Sequence, residues 1–174
     1  MHMVIRVIVP ADTKKEALSE AETIFEGLCG DGKDFDYYEM FNTPGTTVSG
    51  KGRYGHIPAA LEVSSPGGQK MVEEGMQAME RDFERNLERM RACINRYTPK
   101  ELFEGRQEGV QQVDLELDMF RHSCFKAGEY SGSSVWLYDY QGSSIRNRHD
   151  LENALRYTSE GGKKLWVVPA DVHF

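Results

Sequence analysis

Gly50-Lys51-Gly52-Arg53-Tyr54-Gly55 runs into His56, and arginine and histidine recur together at Arg121-His122 and at Arg146-Asn147-Arg148-His149. Arginine grips a phosphate through two parallel N–H bonds, lysine adds a point charge, and histidine binds phosphate or moves protons near neutral pH. Glycine lets backbone N–H groups come close to an anion. Lys51, Arg53, Tyr54, His56, Arg121, His122, Arg146, Arg148 and His149 are therefore candidate ligand residues, with Tyr54, Tyr138 and Tyr140 as faces on which a base would stack. The chemistry they point to is non-enzymatic binding of a phosphate-bearing ligand, a nucleotide or a defined nucleic-acid element. Arg53 and Arg148 would hold the phosphate. The loop formally matches G-x-G-x-x-G, but no strong strand leads into it and Ile57-Pro58 stands where a helix should start, so no dinucleotide fold is expected.

Other chemistries have fewer residues behind them. His122-Ser123-Cys124 and Asp171-Val172-His173 bring metal-ligand types together without the paired spacing of a zinc site, so no metal or other cofactor is expected. No G-x-S-x-G elbow is present, which leaves a metal-independent phosphodiesterase or nuclease using His56 and His149 as the enzymatic alternative. Cys29, Cys93 and Cys124 are odd in number and widely spaced, as reduced thiols are. A formal charge of −7 argues against broad binding to DNA or anionic membranes, which needs excess Lys and Arg. Met3 to Val9, broken by Arg6, is too short for a signal-peptide core or a membrane span, and a cytoplasmic protein without membrane contact is the expectation.

These residues need elements to carry them. Val4 to Val9 is a β-branched run that reads as a strand ended by Pro10. Thr13-Lys14-Lys15-Glu16 has capping-box spacing, and Ala17, Ala21, Ile24, Phe25 and Leu28 continue on one helical face up to Gly30. Phe35 to Phe41 reads as a second strand, and residues 42–69 as a long loop with one edge strand at Ala59 to Val63. From about Gln69 to Tyr97 a helix carries Val72, Met76, Met79, Phe83, Leu87, Met90, Ile94 and Tyr97 in a stripe. Its mean step of about 3.57 residues lies between a supercoil and a straight helix. Glu80, Glu84 and Glu88 form one row and Arg81, Arg85 and Arg89 the next, so a second copy would find opposite charge beside the stripe. A protein-interaction or homodimerisation module using the 70–97 helix is the non-ligand alternative.

Thr98-Pro99-Lys100-Glu101 starts another helix, and Val110 to Phe125, with Val113 on its apolar side, reads as a further one. Ser134–Tyr140, about Arg148 to Thr158 and Leu165–Val168 close the chain as strand, helix and strand. The whole predicts one α+β domain over 1–174: an antiparallel or mixed sheet of about four or five strands from two strand-helix-strand units, ferredoxin-like in tendency, with residues 69–128 as a helical insertion. Ile8-Val9-Pro10-Ala11-Asp12 returns as Val167-Val168-Pro169-Ala170-Asp171. Both copies read as a chain leaving a sheet, with proline ending the ladder and Asp satisfying nearby donors. Asp12 and Asp171 share a site only if their strands are parallel.

Overall fold

The computed structural model describes residues 1–110, 114–159 and 161–174. The fold is α+β, with a five-stranded mixed sheet and a long helix inserted between its strands. Strands β1 (His2–Ala11) and β5 (Lys164–His173) pair antiparallel along their whole length, from His2 opposite His173 to Ala11 opposite Lys164. On the far side of β1, β4 (Leu137–Tyr138) pairs in parallel with Arg6 and Val7. On the far side of β5, β2 (Tyr37–Met40) takes residues 170–173 and β3 (Leu61–Glu62) takes 166–167, both antiparallel. The order is β2-β5-β1-β4 with β3 beside β5. β1 and β2 are thus parallel with the last strand between them, whereas β4 is parallel to β1 and so runs opposite to β5, which makes the sheet mixed.

The pleat sends alternate side chains to opposite faces of the sheet. Ile5, Val7, Val168, Ala170 and Val172, all 0% exposed, lie on one face. Helix α1 (Lys14–Leu28) covers it with Ala17, Ala21 and Phe25, the last 5.6 Å from the ring of Tyr38. Thr13 caps this helix by accepting from the Glu16 N–H, while Glu16 reaches back one residue further than in a capping box, to the Asp12 N–H. On the other face Leu137 meets Gly75 of helix α3 (Pro66–Arg96), and Arg6 reaches Glu74 at 3.8 Å. Helix α6 (Arg148–Ser159) connects β4 to β5.

The two prolines correct the reading of the repeated pentapeptide, because neither ends its strand. The Arg6 N–H points towards the β4 side, donating to the Trp136 carbonyl, so the nitrogen of Pro10, four residues on, points the same way, past the end of β4. In β5 the carbonyls of Leu165 and His173 bond to Val63 and Asp36, so Pro169 faces the same edge. It falls in the gap between β3 and β2. Both prolines occupy positions where no ladder bond is missed. Asp12 follows the end of β1 that lies opposite Lys164, whereas Asp171 stands across from Val4, so the two carboxylates do not share a site.

Other boundaries move. The strand expected over Ser134–Tyr140 is only β4, preceded by a 3₁₀ turn at Gly132–Ser134, since it meets β1 at just two residues. The last strand extends from the expected Leu165–Val168 to Lys164–His173. Helix α3 begins at Pro66 rather than Gln69, capped by Ser65, whose hydroxyl accepts from the Gly68 N–H at 3.0 Å. A one-turn helix α2 (Lys51–Tyr54), with left-handed Gly50 and Gly55 at its ends, lies in the long loop. Helix α4 (Pro99–Glu104) has the expected Thr98/Glu101 capping box. Helix α5 (Leu115–Gly128) is capped by Asp114 and leaves Val110 outside, while Val113 lies outside the described residues.

The chain divides into two compact units: Met1–Ala78 with Tyr130–Phe174, which holds the sheet, and Met79–Glu129, which is helical. No helix among the described residues is long and apolar enough to cross a membrane.

Candidate interaction surface

The helical unit is built on the second half of α3. Cys93 and Tyr97 close with Leu117 on a minor core to which Leu102 and Phe120 add. Asn86, 5% exposed, turns its amide back to the Asp82 carbonyl at 2.8 Å. Polar bonds fix the start of α5 against α3. The Tyr97 hydroxyl donates to Glu116 at 2.8 Å and Asp114 at 3.2 Å, and the Arg96 guanidinium meets Glu116 at 2.6 Å. Burial, and then the bond to Glu116, push the Tyr97 phenol up to about 12.

This packing uses one side of the helix and leaves the neighbouring side bare. Val72, Met76 and Met79 are buried, but further along the same stripe Phe83 is 51% and Ile94 57% exposed, with Leu87 and Met90 half-buried. At 100° per residue these last four fall within an arc of about 60°. Phe103, Val110, Leu115 and Phe125 in the same unit are exposed as well. An open groove of about 500 Å³ runs between Ala92, Cys93 and Arg89 on one helix and Leu115, Met119 and Phe120 on the other. The expected single stripe from Val72 to Tyr97 is therefore two. One runs through Met79, Asn86 and Cys93 to Tyr97 and is covered, and the other runs through Phe83, Leu87, Met90 and Ile94 and is open. The seven-residue step from Met79 to Asn86 to Cys93 is the signal that separates them.

The residues expected to hold phosphate are dispersed. Lys51, Arg53 and Tyr54 sit together on α2 with His56 just beyond, at the β2 edge of the sheet. There the Gly50 N–H donates to Asp171, Tyr54 packs edge-on to Phe41, and the Arg53 guanidinium lies over the Tyr54 ring at 5.7 Å. Arg146, Arg148 and His149 follow β4, at the opposite edge of the sheet. Arg148 makes a two-pronged ion pair with Glu73 at 2.7 and 2.8 Å, Arg146 pairs with Asp150 at 2.9 Å, and His149 bonds Asn153. Tyr140 and Arg146 do share an open cleft of about 350 Å³ with Asp150, Asn153 and Tyr157. Arg121 and His122 are exposed on α5 in the helical unit, Arg121 donating to the Phe103 carbonyl. The 51–56 loop and the 146–149 segment do not converge, and His56 and His149, the pair expected of a phosphodiesterase or nuclease, lie at opposite edges with them. Among the described residues no group of three or more His, Cys, Asp or Glu is placed to hold a metal.

The grip of Arg148 holds the Glu73 carboxyl well below the usual range, at about 2. Because the folded value lies below the unfolded one, the contribution of this pair is present above the ordinary carboxylate range and fades as pH falls towards 2. Arg148→Ala should raise the Glu73 carboxyl towards the ordinary range in an NMR titration, the bond from Gln77 still holding it somewhat low, with little change in stability at neutral pH because both partners are half exposed.

Asp171 and His173, neighbouring metal-ligand types in the sequence, belong instead to a polar cluster that His2, Tyr37 and Asp36 complete. Asp171, 1% exposed in an otherwise apolar stretch of β5, accepts from His2 Nδ1 at 3.0 and 3.2 Å and from the Gly50 N–H at 2.8 Å. His2 Nε2 meets the Tyr37 hydroxyl at 3.3 Å, and the Tyr37 ring stacks on His173, itself bonded to Asp36 at 2.7 Å. Along the chain it shows as Asp171 and His173 two residues apart in an otherwise apolar stretch; nothing local pairs them with His2, Tyr37 or Asp36. Comparison with curated proteins and with solved structures finds no match. A family model does match over residues 1–174, and the chain belongs to the family it describes, Domain of unknown function (DUF7995).

Proposed function

We propose that the protein is an interaction module, in which the sheet unit is the scaffold and the helical unit docks a protein through the open stripe of α3. The observation that carries this reading is the exposure of Phe83 and Ile94 at helical spacing with Leu87 and Met90, on a face that packing inside the unit leaves uncovered. A polar helix face would have sufficed for a solvated arm. The phosphate-ligand reading has less behind it, since Arg146 and Arg148 spend their charge on Asp150 and Glu73.

A docking face and a core face respond oppositely to a charge. Phe83→Glu is expected to leave the unfolding free energy from urea titration, read on dilute monomeric protein, within about 0.5 kcal/mol of the parent, as surface changes do. Met79→Glu, at a side chain only 7% exposed, should unfold the helical unit. Circular dichroism of the two variants checks both. A Phe83→Glu chain destabilised as much as Met79→Glu would mean the stripe is structural, and the docking reading would fall.

A further inference from the structure

We infer that the occupant of the open stripe is a second copy of this chain, its α3 antiparallel to the first. This rests on reading the stripe as a docking face. Phe83, Leu87, Met90 and Ile94 step by 4, 3 and 4 residues, the alternation of the two core positions of a paired helix. A two-fold axis midway between Leu87 and Met90 sets Phe83 against Ile94 of the partner subunit, and Leu87 against Met90 of the partner subunit.

Charge then decides the direction. One border of the stripe carries Glu84 and, seven residues on, Arg91; the other carries Asn86 and Cys93, which are buried. In an antiparallel pair equivalent borders face each other, so Glu84 meets Arg91 of the partner subunit and the two-fold axis repeats the bond. In a parallel pair each border faces the opposite kind, Glu84 and Arg91 meet the Asn86 and Cys93 border, and no ion pair forms. Among the described residues neither Glu84 nor Arg91 is in an ion pair within the chain, so both are available. The borders that carry α5 fall together on the other side of the helix pair and leave the charged edge open. Four apolar side chains per subunit make a small interface, so the dimer is expected to be of order micromolar rather than obligate.

Sedimentation of the full chain across tens of micromolar tests this. The parent should dimerise, and Phe83→Glu should not. Glu84→Arg or Arg91→Glu alone turns both bonds into repulsions and should weaken the dimer on the order of tenfold or more, while the chain carrying both exchanges should recover. Mixing the two single variants should give a heterodimer in preference to either homodimer. A parent that stays monomeric overturns the inference. A dimer lost in Phe83→Glu but indifferent to the charge exchanges overturns the antiparallel register and leaves the docking face standing. A dimer that survives Phe83→Glu overturns both.

Discussion

Asp171→Ala should lower the stability of the protein by about 2–4 kcal/mol, read as a fall in the urea midpoint at unchanged slope. Asp171 sits between Ala170 and Val172, both 0% exposed, where a carboxylate is tolerated only because donors surround it. Alanine removes the acceptor and leaves the donors: the buried Gly50 N–H and, on β1, the Nδ1 of His2. Orphaned donors cost more than the bonds contributed, and here one of them also anchors the loop between β2 and α2. Asp171→Asn keeps one carbonyl oxygen but turns an NH₂ towards the other donor, so about half the loss is expected. His2→Ala should cost a similar amount, and the double variant less than the sum, because the two residues act on one network. A loss below about 1 kcal/mol for Asp171→Ala would mean that water replaces the carboxylate and that the cluster is not sealed.

The parts of this molecule legible along the chain are those set by neighbours three or four residues apart. Thr98 and Glu101 state their capping box outright, and the period of α1 is carried by Ala17, Ala21 and Phe25. Elements whose limits depend on a distant partner were not legible. The run at Leu165–Val168 announces a strand, but its full length follows from ten residues of β1 lying alongside. The seven residues around Trp136 read as a strand of the same quality, yet only Leu137 and Tyr138 find β1. The prolines misled because a proline ends a ladder only where a partner strand is present to be bonded.

The candidate site divides along the same line. Periodicity placed Phe83, Leu87, Met90 and Ile94 on one helical face, but not the point at which the stripe stops being buried, because that depends on what the fold packs against Met76 and Met79. The phosphate reading needed distant segments to meet, and the sheet order sends the 51–56 loop and the 146–149 segment to opposite edges. His2 and Asp171 are the reverse case, two residues near opposite ends of the chain brought to 3.0 Å by a strand register that nothing local encodes.

The start of α3 yields a prediction in which two adjacent glycines answer with opposite sign. Pro66-Gly67-Gly68 opens the helix directly after β3, and at such positions glycine is the costly choice, about 1 kcal/mol poorer than alanine. Gly67→Ala should realise most of that gain, since its added methyl meets only the Cδ1 of Leu61 at 3.2 Å, the end of a side chain that can turn aside. At Gly68 the same methyl would lie 1.9 Å from the carbonyl oxygen of Glu62 and 2.7 Å from its carbon. Backbone has to move by more than 1 Å to relieve that, roughly the separation that turns a contact into a clash. The Glu62 carbonyl is also the acceptor of the Ser65 hydroxyl at 2.6 Å, and the following Val63 N–H bonds Leu165 of β5 at 2.8 Å. Moving it therefore strains the helix cap and the β3–β5 pairing together, and Gly68→Ala is expected to cost about 2–4 kcal/mol despite its better helix propensity. Urea unfolding of the two variants should separate them in opposite directions from the parent. Amide exchange at Val63 should accelerate in Gly68→Ala alone, because only there does the carbonyl at the end of β3 have to leave its place.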